Sequence, residues 1–165
     1  MVEMSVLNSI WRRVRVNHAL EHATITLLSG RITDVVLRGR SNRNGFYVVG
    51  DVSASVITEA VGEALERLRA GESDLAIHPF CGTNLAVAGL LTGTASAFAA
   101  RSARKSDGYP AAILAALVAL AISQPLGYWA QRNLTTEGNV GHLRVLSVDE
   151  KRFLGKRLHF VSTSQ

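Results

Sequence analysis

Two stretches of this chain carry no charged side chain, residues 84–100 and residues 108–131. Nothing else in the sequence restricts the fold as strongly. The hydrocarbon core of a bilayer is about 30 Å thick, and a helix needs roughly 20 apolar residues to cross it. Residues 109–130 meet that length, and residues 84–100, extended by Gly82 and Thr83, just reach it. Both segments carry small residues four apart, Gly89, Gly93 and Ala97 in the first and Ala111, Ala115 and Ala119 in the second. That spacing lets helix backbones approach closely in lipid. Tyr109, Tyr128 and Trp129 stand where interfacial aromatics belong, and Gln124 with Pro125 predicts a kink or a polar contact. The reading is a transmembrane helical hairpin. The alternative is a buried helical hairpin in a soluble protein.

The remaining segments are polar. Net charge is +5, from 18 Lys+Arg and 13 Asp+Glu. Residues 1–83 are balanced, and the surplus lies in the linker 101–107 and in the tail from residue 132 onward. A nucleic-acid binder gathers its charge in a stripe with interleaved aromatics. Basic residues flanking apolar segments suit anionic headgroups instead, so the expected partner is a lipid bilayer and not nucleic acid. Cys81 is the single cysteine, which excludes an internal disulfide. Arg12, Arg13 and Arg15 interrupt the apolar residues near the N-terminus, which therefore does not read as a signal peptide.

Periodicity predicts an amphipathic helix over 6–29, with Leu7, Ile10, Trp11, Val14, His18, His22 and Ile25 on its stripe and Gly30 as its stop. Residues 34–52 predict a β-hairpin, with arms Val35-Val36-Leu37 and Phe46-Tyr47-Val48-Val49 and a turn through Ser41–Gly45. A second helix is expected over 56–70, capped by Ser53 or Ser55 and ended by Gly71, with Val56, Ala60, Val61, Ala64, Leu65 and Leu68 as its apolar stripe. Residues 75–83 predict an extended segment and a turn, since Pro79 disfavours a helix through His78. Thr83 or Asn84 would cap the first apolar helix. Residues 142–163 predict two short strands around Asp149-Glu150-Lys151-Arg152, extending the N-terminal sheet. The fold class is α+β: a helix, β-hairpin, helix module over 1–83, a transmembrane helical hairpin over 84–131, and a β-rich tail over 132–165.

The chemistry concentrates in His18-Ala19-Leu20-Glu21-His22. Histidines four apart on a helix project from one face, the spacing two imidazoles need to share one metal ion. Glu21, one residue before the second histidine, is placed for a general base. Zinc hydrolases combine two histidine ligands with such a carboxylate, and His-x-x-Glu-His is the inverted zincin order. A third ligand is needed. His78 is the first choice and Cys81 a possible fourth, because a cysteine at a helix N-terminus favours the thiolate. Glu59 and Glu63 are weaker candidates. Beside this stand structural readings: core histidines, a buried pair made by Glu21, an apolar plug at Cys81.

The helix His18-Ala19-Leu20-Glu21-His22 resembles the signature helix of the pitrilysin-type metallopeptidases, which take a third ligand from a downstream glutamate in a much larger domain. A second resemblance spans more of the chain. Asn17-His18-Ala19-Leu20-Glu21-His22-Ala23-Thr24, then Asn44-Gly45-Phe46-Tyr47, then His78-Pro79-Phe80-Cys81-Gly82-Thr83-Asn84 before two apolar helices, resembles a bacterial membrane-protein family catalogued only as a domain of unknown function. It implies a bacterial origin, an integral membrane location, and one module holding both histidine segments.

Three functions remain open. The leading expectation is a membrane-anchored zinc protein with His18, His22 and His78 as ligands. Glu21 would act as base in a hydrolase or peptidase if a position stays open, and the metal would be structural if Cys81 closes it. The alternative is a non-enzymatic membrane subunit or assembly factor, pairing with another membrane protein or a second copy through the Gly89/Gly93/Ala97 face. The third is a redox or haem-linked role for the histidines. The module is expected on the cytoplasmic side of a bacterial cytoplasmic membrane, where a free thiol and a metal site are tolerated, although the basic linker between the helices favours the opposite orientation.

Overall fold

The computed structural model describes residues 2–104, 107–153 and 156–164. The chain is α+β, with elements in the order α1 (Val2–Arg31), β1 (Arg38–Asn42), β2 (Gly45–Val49), α2 (Ala54–Arg69), a 3₁₀ turn Ser73–Ala76, α3 (Gly82–Ser102), α4 (Gly108–Ala130), a π-helical turn Gln131–Thr135, β3 (Arg144–Phe153) and β4 (Lys156–Ser164). These form two compact units. One runs from the N-terminus to His78 and resumes at Thr135; the other is Pro79–Leu134.

The first unit is a four-stranded antiparallel sheet in the order β1-β2-β4-β3, with α1 and α2 against it. Alternation decides the faces. Phe46 and Val48 of β2 pair with Val161 and His159 of β4, and all four are buried. Their neighbours Tyr47 and Phe160 lie on the opposite face, ring to ring at 4.7 Å. Val16, Ala19, Leu20, Ala23 and Leu28 of α1 complete the core with Ile57, Val61, Ala64 and Leu68 of α2. The alanines at 19 and 23, wholly buried, let the α1 backbone sit close to its neighbours.

Several expectations need correction. α1 runs through Gly30 to Arg31 and is longer at both ends than predicted, and its N-terminal apolar residues Leu7 and Trp11 are exposed. The first hairpin arm is the polar Arg38–Asn42 and not Val35-Val36-Leu37. Val35 and Leu37 pack against the core from the segment before the strand, while β1, an edge strand with solvent on one side, tolerates polar residues. The turn narrows to Arg43-Asn44, where the Asn44 amide donates to Asn42 Oδ1 at 2.8 Å. On α2, Ile57 is buried, with Val56 only partly so. Asp149 to Arg152 do not turn; they lie within β3, a ten-residue edge strand whose charges discourage further pairing.

The second unit is a helical hairpin. α3 has 21 residues, about 32 Å at 1.5 Å per residue. α4 and the π-helical turn together run 28 residues. Both are long and apolar enough to cross a membrane. Among the described residues α3 has none that is buried, and Leu85, Leu90 and Phe98 on it and Leu114, Leu117 and Trp129 on α4 are exposed. Its N-cap is Cys81, whose Sγ accepts from the Thr83 amide at 3.4 Å, and not Thr83 or Asn84. The Asn84 side chain instead ties α3 to its surroundings. Its Nδ2 donates to the Pro79 carbonyl at 2.8 Å, and its Oδ1 accepts from Gln131 Nε2 at 2.6 Å. Gly127 makes room for it, since a Cβ there would lie 3.0 Å from Asn84 Cγ. Ser96 Oγ donates to the Ala112 carbonyl at 3.2 Å further along the pair. Gly89 and Gly93 take no part in this packing; a Cβ on either meets nothing within 4 Å.

Candidate metal centre

The centre is built on the second half of α1. Helical spacing puts His18 and His22 on one face, and their ring centroids are 4.2 Å apart at 62°. His78, just past the 3₁₀ turn, joins them from a distant part of the sequence, its ring 5.7 Å from that of His22. Within the first unit, His22 thus has a ring neighbour on each of two segments, His18 on its own helix and His78 after the 3₁₀ turn.

The hydrogen bonds of the two motif histidines carry the most information. His18 Nδ1 lies 2.9 Å from the Thr135 carbonyl oxygen, and His22 Nδ1 lies 2.7 Å from that of Ala76. A carbonyl only accepts, so each Nδ1 carries the hydrogen, and in the neutral ring the lone pair is then on Nε2. Metal-binding histidines are commonly oriented in this way, one nitrogen donating to a carbonyl and the other facing the ion. Burial holds His78 below the usual imidazole pKa, which favours the neutral, ligating form.

Glu21 is buried and points to the sheet. Its carboxylate rests against Gly39 of β1, and a Cβ at Gly39 would come within 2.6 Å of Glu21 Cδ. Cys81 belongs to the other unit and follows His78 by three residues, a tether of about 10 Å at full extension. Glu59 and Glu63 are engaged elsewhere: Arg31 pairs with Glu59 at 3.6 Å and with Glu63.

Two features escaped sequence reasoning. The carbonyls of Ala76 and Thr135 are backbone groups with no residue signature. Asn17 had a signal, its place beside His18 in the motif, but no assigned role. It is buried, donates through Nδ2 to the Asn42 carbonyl at 2.8 Å, and accepts at Oδ1 from Thr163 Oγ1 at 2.8 Å. It thus holds α1 to β1 and β4 one residue before His18. At the other end of the motif, Thr24 Oγ1 folds back onto the Leu20 carbonyl at 2.7 Å.

The motif that holds these groups lies within residues 13–148, which match a family model described as a domain of unknown function (DUF6391). The chain belongs to this family. An uncharacterised protein from Picosynechococcus sp. (strain ATCC 27264 / PCC 7002 / PR-6) is 39% identical over 137 residues, covering 74% of this chain and 65% of that protein. The chain thus spans somewhat under two thirds of the length of this relative. No solved structure matches.

Proposed function

We propose that this DUF6391 member is a membrane-anchored metal-binding protein whose centre uses His18, His22 and His78, with zinc as the metal. The observation that carries the reading is the pair of Nδ1–H···O=C bonds to Thr135 and Ala76, which leaves Nε2 as the ligating nitrogen of two neutral rings 4.2 Å apart. Three imidazoles suit zinc, and a fourth protein ligand would make the site structural. A bound zinc would supply Lewis-acid activation of water for hydrolysis. Glu21 is the residue to serve as base in that case, but a base must reach the water whose proton it takes. Its burial against Gly39 supports a binding role over a hydrolytic one.

The anchor is the hairpin α3–α4, crossing the cytoplasmic membrane with the sheet-bearing unit on the cytoplasmic side. Apolar exposure along both helices supports this, since soluble proteins rarely leave so much apolar surface to water. The pairing of β2 with β4 adds a constraint. It ties the chain before Pro79 to the chain after Leu134 in one sheet, so the number of crossings between them must be even.

Metal analysis of untagged protein tests the centre. The expected result is stoichiometric zinc in the wild type and its loss in His18→Ala/His22→Ala. Metal-free wild type after gentle purification, or zinc retained in the folded double variant, would overturn it. A second reading, a non-enzymatic subunit that docks another membrane protein or a second copy, is favoured by the open Gly89/Gly93/Ala97 face of α3.

A further inference from the structure

An open groove of about 860 Å³ lies at one end of the sheet, with none of the motif residues in its lining. It falls within the usual range for small-molecule pockets, roughly 300–1,000 Å³. Arg38, Arg152 and Arg157 line it together with Val35, Val36 and Val49. The register of β3 and β4 sets Arg152 directly opposite Arg157, and like charges so placed repel. Arg157 is compensated, with Nε 3.1 Å from Asp51 and 3.9 Å from Glu150. Arg38 and Arg152 are not: among the described residues neither forms an ion pair. The one further carboxylate in the lining is Asp34, so the two exposed guanidiniums share the groove with a single remaining acid. Guanidinium forks match oxyanions bidentately. The valines have a different requirement. Val36 is 76% exposed, an aliphatic surface that a small hydrated anion would leave wet.

We propose that this groove binds an amphiphilic anion, an oxyanion head held by Arg38 and Arg152 and an aliphatic body laid on Val35, Val36 and Val49. Two sources share this chemistry: a phospholipid of the bilayer and a soluble phosphorylated lipid. The probe is octyl phosphate, titrated calorimetrically into the full chain in phosphatidylcholine nanodiscs, with empty discs as background. Saturable one-to-one binding is expected, weakening as salt rises. Arg38→Gln/Arg152→Gln should weaken it at least tenfold without lowering the thermal midpoint, since it also relieves the Arg152–Arg157 repulsion, and Val36→Ser should weaken octyl phosphate but not inorganic phosphate. Should the double glutamine variant fail to fold, Arg38→Lys/Arg152→Lys keeps the charge, loses the fork and should still weaken binding several-fold. Competition by phosphatidylglycerol in the discs assigns the site to a membrane lipid, and its absence to a soluble one. No saturable binding, binding unchanged in folded arginine variants, or inorganic phosphate bound as tightly as octyl phosphate would overturn the proposal.

Discussion

The carboxylate of Glu21 occupies the space that a side chain at Gly39 would fill. One glutamate in the middle of α1 and one glycine in an edge strand are thus a matched pair. Gly39→Ala must move either the carboxylate or the strand. It should destabilise the protein by about 1–3 kcal/mol, the usual cost of overpacking. Gly62 on α2 is the control, because a Cβ there meets nothing within 4 Å. Gly62→Ala should stabilise by up to about 1 kcal/mol through helix propensity. Chemical denaturation of both variants checks the contrast, and equal effects would discredit the pairing.

Glu21→Gln separates the two uses of the centre. It is nearly isosteric, so the packing against Gly39 survives. With a binding role, zinc content should stay within experimental error of the wild type and the fold should hold. A hydrolytic role predicts retained zinc with activity lost by about two to four orders of magnitude on any peptide or ester substrate found, the usual contribution of a general base. Loss of zinc in the folded variant would instead place Glu21 among the ligands.

Asn17 bridges three elements through two hydrogen bonds, so Asn17→Ala should cost about 2–4 kcal/mol by stranding the Asn42 carbonyl and the Thr163 hydroxyl. Asn17→Asp gives a sharper test. The carboxylate still accepts from Thr163 but faces the Asn42 carbonyl, and burial favours its protonated form. Its folded pKa is then raised above the unfolded value, the folded state binds the extra proton, and stability falls as pH rises through that range. Relative to wild type, the aspartate variant should be markedly less stable at pH 7 than at pH 4. A pH-independent difference would contradict the assignment.

In the hairpin, Gly127→Val should collide with Asn84 and lower the thermal midpoint in mild detergent. Gln131→Leu should do so more modestly, since polar pairs between membrane helices are worth about 0.6–2 kcal/mol. Gly93→Val leaves this packing untouched. Its effect should appear only in oligomeric state or partner retention, measured by light scattering. A lowered midpoint in the monomer would show that the Gly89/Gly93/Ala97 face packs within the hairpin after all.

Strong periodicity was readable: the apolar helices, α2 with its stop at Gly71, and α1 with its histidines on one face. The edges were not. β1 is polar because an edge strand needs no apolar side chains on its open side, and the charged run in β3 mimics a turn for the same reason. The shared face of His18 and His22 was legible from spacing, yet what orients the two rings is main chain. No residue type marks the Ala76 or Thr135 carbonyl. The partners of Asn17 and Glu21 lie in β1 and β4, where local pattern carries no information on who meets whom.

The interrupted sheet has a consequence for synthesis. β2 waits for β4, and the helical hairpin leaves the ribosome between them. Thr135, which orients His18, and Thr163, which holds Asn17, also follow that hairpin. A nascent chain therefore commits its apolar helices before its histidines are set. On the proposed reading, metal capture would then come late, after the hairpin has left the ribosome and β4 has joined the sheet.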